Sequence, residues 1–151
     1  MLSVGLLMYR HVDGELQVLL AHMGGPFWSK KDDHAWTVPK GLQEAGDADL
    51  LAVAEREFAE EMGSVAPDGD SLDLGAVRAG SKTNHVFIRE GDFDADAIVS
   101  NTFETEWPPK SGRMQSFPEV DRAEWLTIAE ARRKLVKGQL PFLDRLVEAV
   151  T

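Results

Sequence analysis

The chain has 151 residues, no cysteine, and 16 Lys and Arg against 26 Asp and Glu, which gives a formal net charge of −10. This length predicts a single domain over residues 1–151 that buries roughly two thirds of its unfolded surface, and the lack of cysteine excludes disulfides, thiolate metal sites and thiol nucleophiles. The acidic surface repels the phosphates of nucleic acids and anionic membranes, so neither is expected as a partner.

The first ten residues, MLSVGLLMYR, carry no basic leader and no cleavage pattern. No apolar run approaches the roughly 20 residues of a membrane span. We therefore expect a soluble, cytoplasmic protein, and the sequence leaves its oligomeric state open between a monomer and a homodimer.

Two apolar runs open the chain, at residues 3–9 and 16–22. The Asp13-Gly14 dipeptide between them is typical of a two-residue hairpin turn, so the runs predict an antiparallel pair of strands. Residues 24–36 are rich in Gly, Lys and Asp and predict an exposed loop.

Residues 49–62 predict a helix, and Gly63 predicts its end. Four apolar residues recur at about 100° per residue, as a packed helix requires. They are Leu51, Ala54, Phe58 and Met62.

The second half is predicted to contain two strands, at residues 72–79 and 84–90, and a short last strand at 123–126. Residues 91–120 read as a long mixed connection in which the indications of strands are weak.

The C-terminal part predicts two helices. Thr127 and Glu130 match a capping box, which predicts a helix over residues 128–136 ended by Gly138, and Pro141 opens a terminal helix. This order of elements predicts one α/β domain with helices packed against a mostly antiparallel or mixed sheet.

The helix carries three carboxylates at i, i+3 and i+4: Glu57, Glu60 and Glu61. Like charges at this spacing repel each other, and Arg56 neutralises only part of the cluster. A hard divalent cation such as Mg²⁺ prefers oxygen ligands and shares its shell with phosphate oxygens, so the cluster indicates phosphate chemistry. A solvated acidic face is the ordinary alternative for such a run.

The order of the surrounding residues favours the metal site. Gly41, then Asp47, then Arg56 to Gly63 (REFAEEMG) resembles the signature box of the Nudix hydrolases, G-x5-E-x7-R-E-U-x-E-E-x-G-U with U apolar. AWTVPKG before the box and the strand pair resemble the branch that includes diadenosine tetraphosphate hydrolases. GGPFW and NTFETEWPPKSGR resemble a bacterial subgroup of predicted NTP pyrophosphohydrolases.

The segment from Gly41 to Arg56 is one residue longer than the family pattern. Counted forward, the family's first Glu falls on Asp47; counted back, it falls on Ala48. Asp47 supplies a carboxylate, and Glu44 and Asp49 are the alternatives.

The resemblance implies a Nudix fold, an α/β/α sandwich with a mixed central sheet, and a role for each matching residue. Glu57 and Glu61, with the Gly41 carbonyl and Glu60, would bind Mg²⁺ or Mn²⁺. Arg56 would orient Glu57 by a salt bridge, and Asp47 would lie behind Arg56 without touching the metal.

The family also places a further Glu outside the box, as a metal ligand or a base. Glu119, before Trp125 in FPEVDRAEW, is the choice here, with Glu104 and Glu106 as alternatives. The ordinary interpretation of Glu119 is a surface carboxylate.

Candidate substrate contacts are cations and aromatic residues, because the net charge is wrong for polyanions. The cations are Lys40, Lys82, Lys110 and Arg113, of which Lys40 stands out beside the metal turn. The aromatic residues that could stack on a purine are Trp28, Trp36, Trp107 and Phe117, with Trp107 and Phe117 preferred and Trp36 assigned to packing.

The sequence thus predicts divalent-metal-dependent hydrolysis of a pyrophosphate linkage in a nucleoside diphosphate derivative. The leading substrates are a dinucleoside polyphosphate and a nucleoside triphosphate. The alternatives are another phosphate substrate (a nucleotide sugar, NADH, an inositol pyrophosphate or an RNA 5′ end) and a Nudix-fold nucleotide sensor without catalysis.

Overall fold

The computed structural model describes residues 1–44, 46–47 and 49–151. Its strands are β1 (Leu2–Val12), β2 (Glu15–Met23), β3 (Trp36–Thr37), β4 (Lys40–Leu42), β5 (Ser71–Ala79), β6 (Lys82–Glu90), β7 (Thr102–Glu106), β8 (Met114–Pro118) and β9 (Val120–Thr127). Its α-helices are α1 (Leu50–Met62), α2 (Ile128–Lys134) and α3 (Leu140–Val150).

A seven-stranded mixed sheet forms the centre, with β1 parallel to β6 and the other pairs antiparallel. One apolar core, around Leu7, Val86 and Phe142, lies under α2 and α3, and a second, around Leu6, Phe58 and Met62, lies under α1. The predicted α/β/α sandwich is confirmed. None of the helices in the described part of the chain has the length and apolar character needed to span a bilayer.

The two strands of the first hairpin separate beyond the turn, and the segment from Trp36 to Leu42 lies between them. Asp13 and Gly14 both have positive φ, as the predicted turn requires, and β1 pairs with β2 only near that turn. Farther along, β4 pairs with β1 and β3 pairs with β2. Gly41 thereby lies opposite Val4, beneath α1.

Helix α1 is bounded as predicted. The Asp49 carboxylate caps its N-terminus by accepting from Ala52 N at 2.8 Å, and Gly63, at φ 83°, ends it in the left-handed conformation. Asp49, an alternative to Asp47 in the sequence analysis, therefore caps the helix.

Three predictions about the chain's later half are wrong. Residues 91–120, predicted as a connection, contain a second small sheet, the β7–β8 hairpin. The last strand runs over Val120–Thr127 instead of 123–126, because β9 pairs with β2 from Gln17 to Met23. Helix α2 ends at Lys134 and not at residue 136, because Val136 N donates to the Trp36 carbonyl instead of continuing the helix.

Gln139, shortly after helix α2, holds the Thr37–Val38 segment that leads to the site. Its side chain is 2% exposed, accepts from Val38 N at 3.0 Å and donates to the Thr37 hydroxyl at 3.0 Å. Gln139 therefore supplies hydrogen bonds that the buried backbone at Val38 cannot obtain from water.

We expect Gln139→Leu to lower the free energy of unfolding by about 1–3 kcal/mol, because it leaves the Val38 N–H unpaired. Urea denaturation measures the change. Lys137→Leu, at an exposed position of the same turn, is the control and should be near neutral; equal losses in both variants would contradict the assignment.

Candidate functional site

Glu57 lies directly over Gly41. Its side chain is buried, and a Cβ atom added at Gly41 would overlap the Glu57 carboxylate. Glycine is needed here because the carboxylate occupies the space that any other side chain would take. Burial raises the pKa of Glu57 above its ordinary value, against the lowering effect of the Arg56 hydrogen bond.

Arg56 ties the loop to the helix. It pairs with Asp47, donates to Glu57 Oε1 at 3.1 Å and lies 3.9 Å from Glu60 Oε1. The carboxylates of Asp47 and Glu57 hold the pKa of the guanidinium above its ordinary value. The Glu57 carboxylate is thus held in place by a permanently charged donor.

The longer spacing between Gly41 and Arg56 does not separate the predicted partners. Asp47 also accepts from the backbone N–H of Glu44, and this bond, with the Arg56 pair, holds its pKa below the ordinary value. Glu44 itself is exposed and acts here through its backbone. Ala48, the alternative position, lies outside the described residues.

Glu61 is the second buried carboxylate, at 7% exposure. Its Oε2 accepts from Lys40 N at 3.1 Å, and burial raises its pKa from 4.5 to about 8, although this bond and the Lys40 charge oppose the shift. Burial in turn lowers the pKa of the Lys40 ammonium. A carboxyl with this pKa favours either a proton or a bound cation.

The donor set suits a hard divalent cation. Glu57, Glu60 and Glu61 offer only oxygen ligands. Among the described residues, no group of three or more of these carboxylates is arranged to hold a metal ion by itself: Glu57 faces Arg56, Glu61 faces the Lys40 N–H and Glu60 is exposed. The arrangement therefore fits only a cation that takes its other ligands from solvent or substrate oxygens.

A cavity of about 480 Å³ opens beside Glu61. Lys40, Glu61 and Glu119 line its charged part, and Glu119 raises the pKa of Glu61 through their like charge. Glu119 is exposed and lies between β8 and β9, where its carbonyl accepts from Gly24 N at 2.9 Å. This volume suits a small molecule.

Of the predicted substrate contacts, Lys40, Trp28 and Trp107 line the cavity. Lys82 is exposed and close enough to lower the pKa of Lys40 by like charge. Arg113 is exposed in the hairpin turn, and Phe117 packs against Phe103 with ring centres 6.2 Å apart.

Sequence reasoning missed three residues of the cavity lining, Phe27, Phe103 and Thr105, and it did not prefer Trp28. Alternation along β7 could have located two of them, since a strand over 102–106 places residues 103, 105 and 107 on one face.

A family model described as the NUDIX domain matches residues 1–146. The chain therefore belongs to the NUDIX domain family. The family predicted from the sequence is confirmed. No protein with a curated description matches the sequence.

Solved structures share the fold. The NUDIX domain of Shewanella oneidensis NrtR, complexed with ADP ribose, has a TM-score of 0.68 at 19% identity, covering 100% of this chain and 88% of that one. A C. elegans Ap4A hydrolase binary complex has a TM-score of 0.62 at 19% identity, covering 99% and 96%. The E. coli ORF135 protein has a TM-score of 0.57 at 17% identity, covering 97% and 89%. At these identities the likeness concerns the fold.

We expect Gly41→Ala to reduce pyrophosphohydrolase turnover by about tenfold or more, because the new methyl group displaces the Glu57 carboxylate. Stability should change little, since the displaced atoms are the end of a flexible side chain and Gly41 is not at positive φ. Steady-state kinetics and thermal denaturation measure the two effects.

Gly80→Ala is the matched control. Gly80 has φ 63° and open space around its Cα, so alanine there should cost about 1 kcal/mol of stability while turnover is kept. Turnover that follows stability in both variants would contradict the role of Gly41.

Glu61 predicts a pH dependence of stability in protein kept free of divalent cations by EDTA. The folded carboxyl holds its proton up to about pH 8, whereas the unfolded one releases it above its ordinary 4.5. Its contribution to stability is therefore complete below pH 4.5 and is lost as pH rises to about 8. We expect the melting temperature of Glu61→Gln to exceed that of the wild type at pH 8 and to approach it at low pH; parallel curves would contradict the burial argument.

Proposed function

We propose that the protein hydrolyses a pyrophosphate linkage in a nucleoside diphosphate derivative and depends on a divalent metal ion. The observation that carries the proposal is the assembly of Asp47, Arg56 and Glu57 over Gly41, with buried Glu61 beside it at the wall of a small-molecule cavity. Buried carboxylates held next to a polyanion site need a cation to balance them.

The residues that would hold the metal are Glu57, Glu61, Glu60 and the Gly41 carbonyl, and the ion would be Mg²⁺ or Mn²⁺. Such an ion, when bound, neutralises phosphate charge and lowers the pKa of a coordinated water. Arg56 holds Glu57 in position through its salt bridge to Oε1, and Asp47 keeps Arg56 in place.

The reaction is the attack of water on phosphorus. The water oxygen forms a bond to one phosphorus atom of the anhydride, the bridging P–O bond breaks, and the departing phosphate takes its electron pair. The water proton passes to a carboxylate, for which we propose Glu119, exposed at the cavity beside Glu61. Lys40 faces the same region and supplies positive charge for the substrate phosphates.

The leading substrates are a dinucleoside polyphosphate and a nucleoside triphosphate. The fold is shared with an Ap4A hydrolase and with a domain complexed with ADP ribose, both nucleotide-binding by their names. The aromatic lining of the cavity supports a nucleotide over an inositol pyrophosphate, because stacking requires a planar ring.

A sensor without catalysis is the second candidate, favoured by the likeness to S. oneidensis NrtR, which is also known complexed with a 27mer DNA. The complete carboxylate set argues for catalysis, because ligand binding alone does not require buried Glu57 and Glu61. A panel of nucleoside diphosphate derivatives assayed with Mg²⁺ discriminates the two: phosphate-ester products support the enzyme, and tight nucleotide binding without products supports the sensor.

We expect Glu57→Gln and Glu61→Gln each to lower kcat by at least about a hundredfold with Mg²⁺, because each removes a charge proposed to hold the metal. Circular dichroism should show an intact fold. Glu148→Gln, an exposed position on α3, is the control and should match the wild type; unchanged rates in either site variant would refute the metal role of that residue.

A further inference from the structure

Two segments enclose the apolar part of the cavity: the loop 24–31, here called the GGPFW loop, and the β7–β8 hairpin. Two glycines let them meet. A Cβ atom at Gly24 would overlap the Pro118 carbonyl, and one at Gly25 would lie 2.8 Å from the Phe103 ring. The glycine pair thus seats the base of the hairpin directly on the loop.

Each segment contributes aromatic rings. Phe103 and Trp107 extend from the same face of the hairpin, while Phe27 and Trp28 come from the loop. Phe27 is 62% exposed, yet it is held in place, because Trp28 meets it edge to face at 5.0 Å and the Lys31 ammonium lies 3.5 Å from its ring centre. The cavity therefore has aromatic walls from two independent elements.

Few side chains in this part of the cavity can form hydrogen bonds with the edge of an aromatic ring. Of the described residues that line the cavity, none is Asn, Gln or Arg. The Thr37 hydroxyl is already bonded to Gln139, and each Glu106 oxygen accepts from a hairpin N–H, of Lys110 at 2.7 Å or Gly112 at 3.2 Å. Besides the charged residues Lys40, Glu61 and Glu119, the groups left for hydrogen bonds to a ring edge are the Thr105 hydroxyl and the indole N–H donors of Trp28 and Trp107.

From this arrangement we propose that the cavity selects substrates by stacking one nucleobase between the GGPFW loop and the β7–β8 hairpin, and that it reads the presence of the base but not its identity. The substrate class is then nucleoside diphosphate derivatives of all four common bases. This rests on the proposed function, and it names the substrate range of that site.

The physical reason is that binding a base and distinguishing one base from another require different interactions. Every base has a π-face, so stacking on aromatic side chains tolerates all of them and is weakened about tenfold or more when a stacking side chain is removed. Strong discrimination between bases requires buried donors and acceptors that remain unpaired with the wrong ring. This cavity is rich in the first and poor in the second.

The test measures binding by titration calorimetry on the full chain with Mg²⁺, using AMP, GMP, CMP and UMP and, as a probe without a base, ribose 5-phosphate. We expect the four nucleotides to bind within about tenfold of one another and ribose 5-phosphate to bind at least about tenfold more weakly. Ribose 5-phosphate binding as tightly as AMP, one base exceeding the others by about a hundredfold, or no nucleotide binding would each overturn the proposal.

Variants locate the stacking. Trp107→Ala and Phe27→Ala should each weaken nucleotide binding about tenfold without changing ribose 5-phosphate binding, and Trp107→Phe should keep most of the affinity. Met114→Ala, at a 62% exposed hairpin position outside the cavity lining, is the control. Equal weakening of both ligands in the alanine variants would contradict a stacking role.

The outcomes also separate the two proposals. Hydrolysis of only one nucleoside triphosphate among the four would overturn base tolerance and leave the pyrophosphohydrolase intact. Binding of all four nucleotides without any hydrolysis would overturn the catalytic function, and the proposal that a base stacks between the GGPFW loop and the β7–β8 hairpin would stand.

Discussion

The site depends on the seating of one carboxylate, that of Glu57, between the Arg56 guanidinium and the backbone of Gly41. Removing a carboxylate from water is costly unless it is paired and hydrogen-bonded. Arg56 supplies the pairing, and a second ion pair, to Asp47, holds Arg56 in place. The loop at Asp47, helix α1 and strand β4 are thus held together by a chain of ion pairs that ends at Glu57, over Gly41.

The opening of the first hairpin makes this seating possible. Strands β1 and β2 separate beyond their turn, and the segment from Trp36 to Leu42 fills the gap by pairing with both. Gln139 closes it from the other side through its buried hydrogen bonds. The charged and aromatic parts of the cavity therefore rest on different elements, the first on α1 and β4 and the second on the GGPFW loop and the hairpin.

Much of the fold could be predicted because local chemistry agrees with it. The turn at Asp13-Gly14, the Asp49 and Gly63 ends of α1 and the capping box at Thr127 all occur as the sequence indicates. The hairpin over 102–118 could not, because its strands are short, polar and exposed, and they are stabilised by each other and by the loop rather than by a buried apolar face. The end of α2 was missed for a similar reason, since pairing with Trp36 is a long-range contact.

The sequence by itself determined the family, the α/β class and the carboxylates of the helix, because helical spacing alone brings Glu57, Glu60 and Glu61 to one side. Only the tertiary structure decided that Asp47 reaches Arg56 across the longer spacing, that Glu57 and Glu61 are buried while Glu60 is exposed, and that Glu119 lines the same cavity as Lys40. It also placed Phe27 and Phe103 around one cavity. The relations between Lys40 and Glu119 and between Phe27 and Phe103 join residues far apart in the chain, and they follow from strand pairing and burial, which no local pattern records.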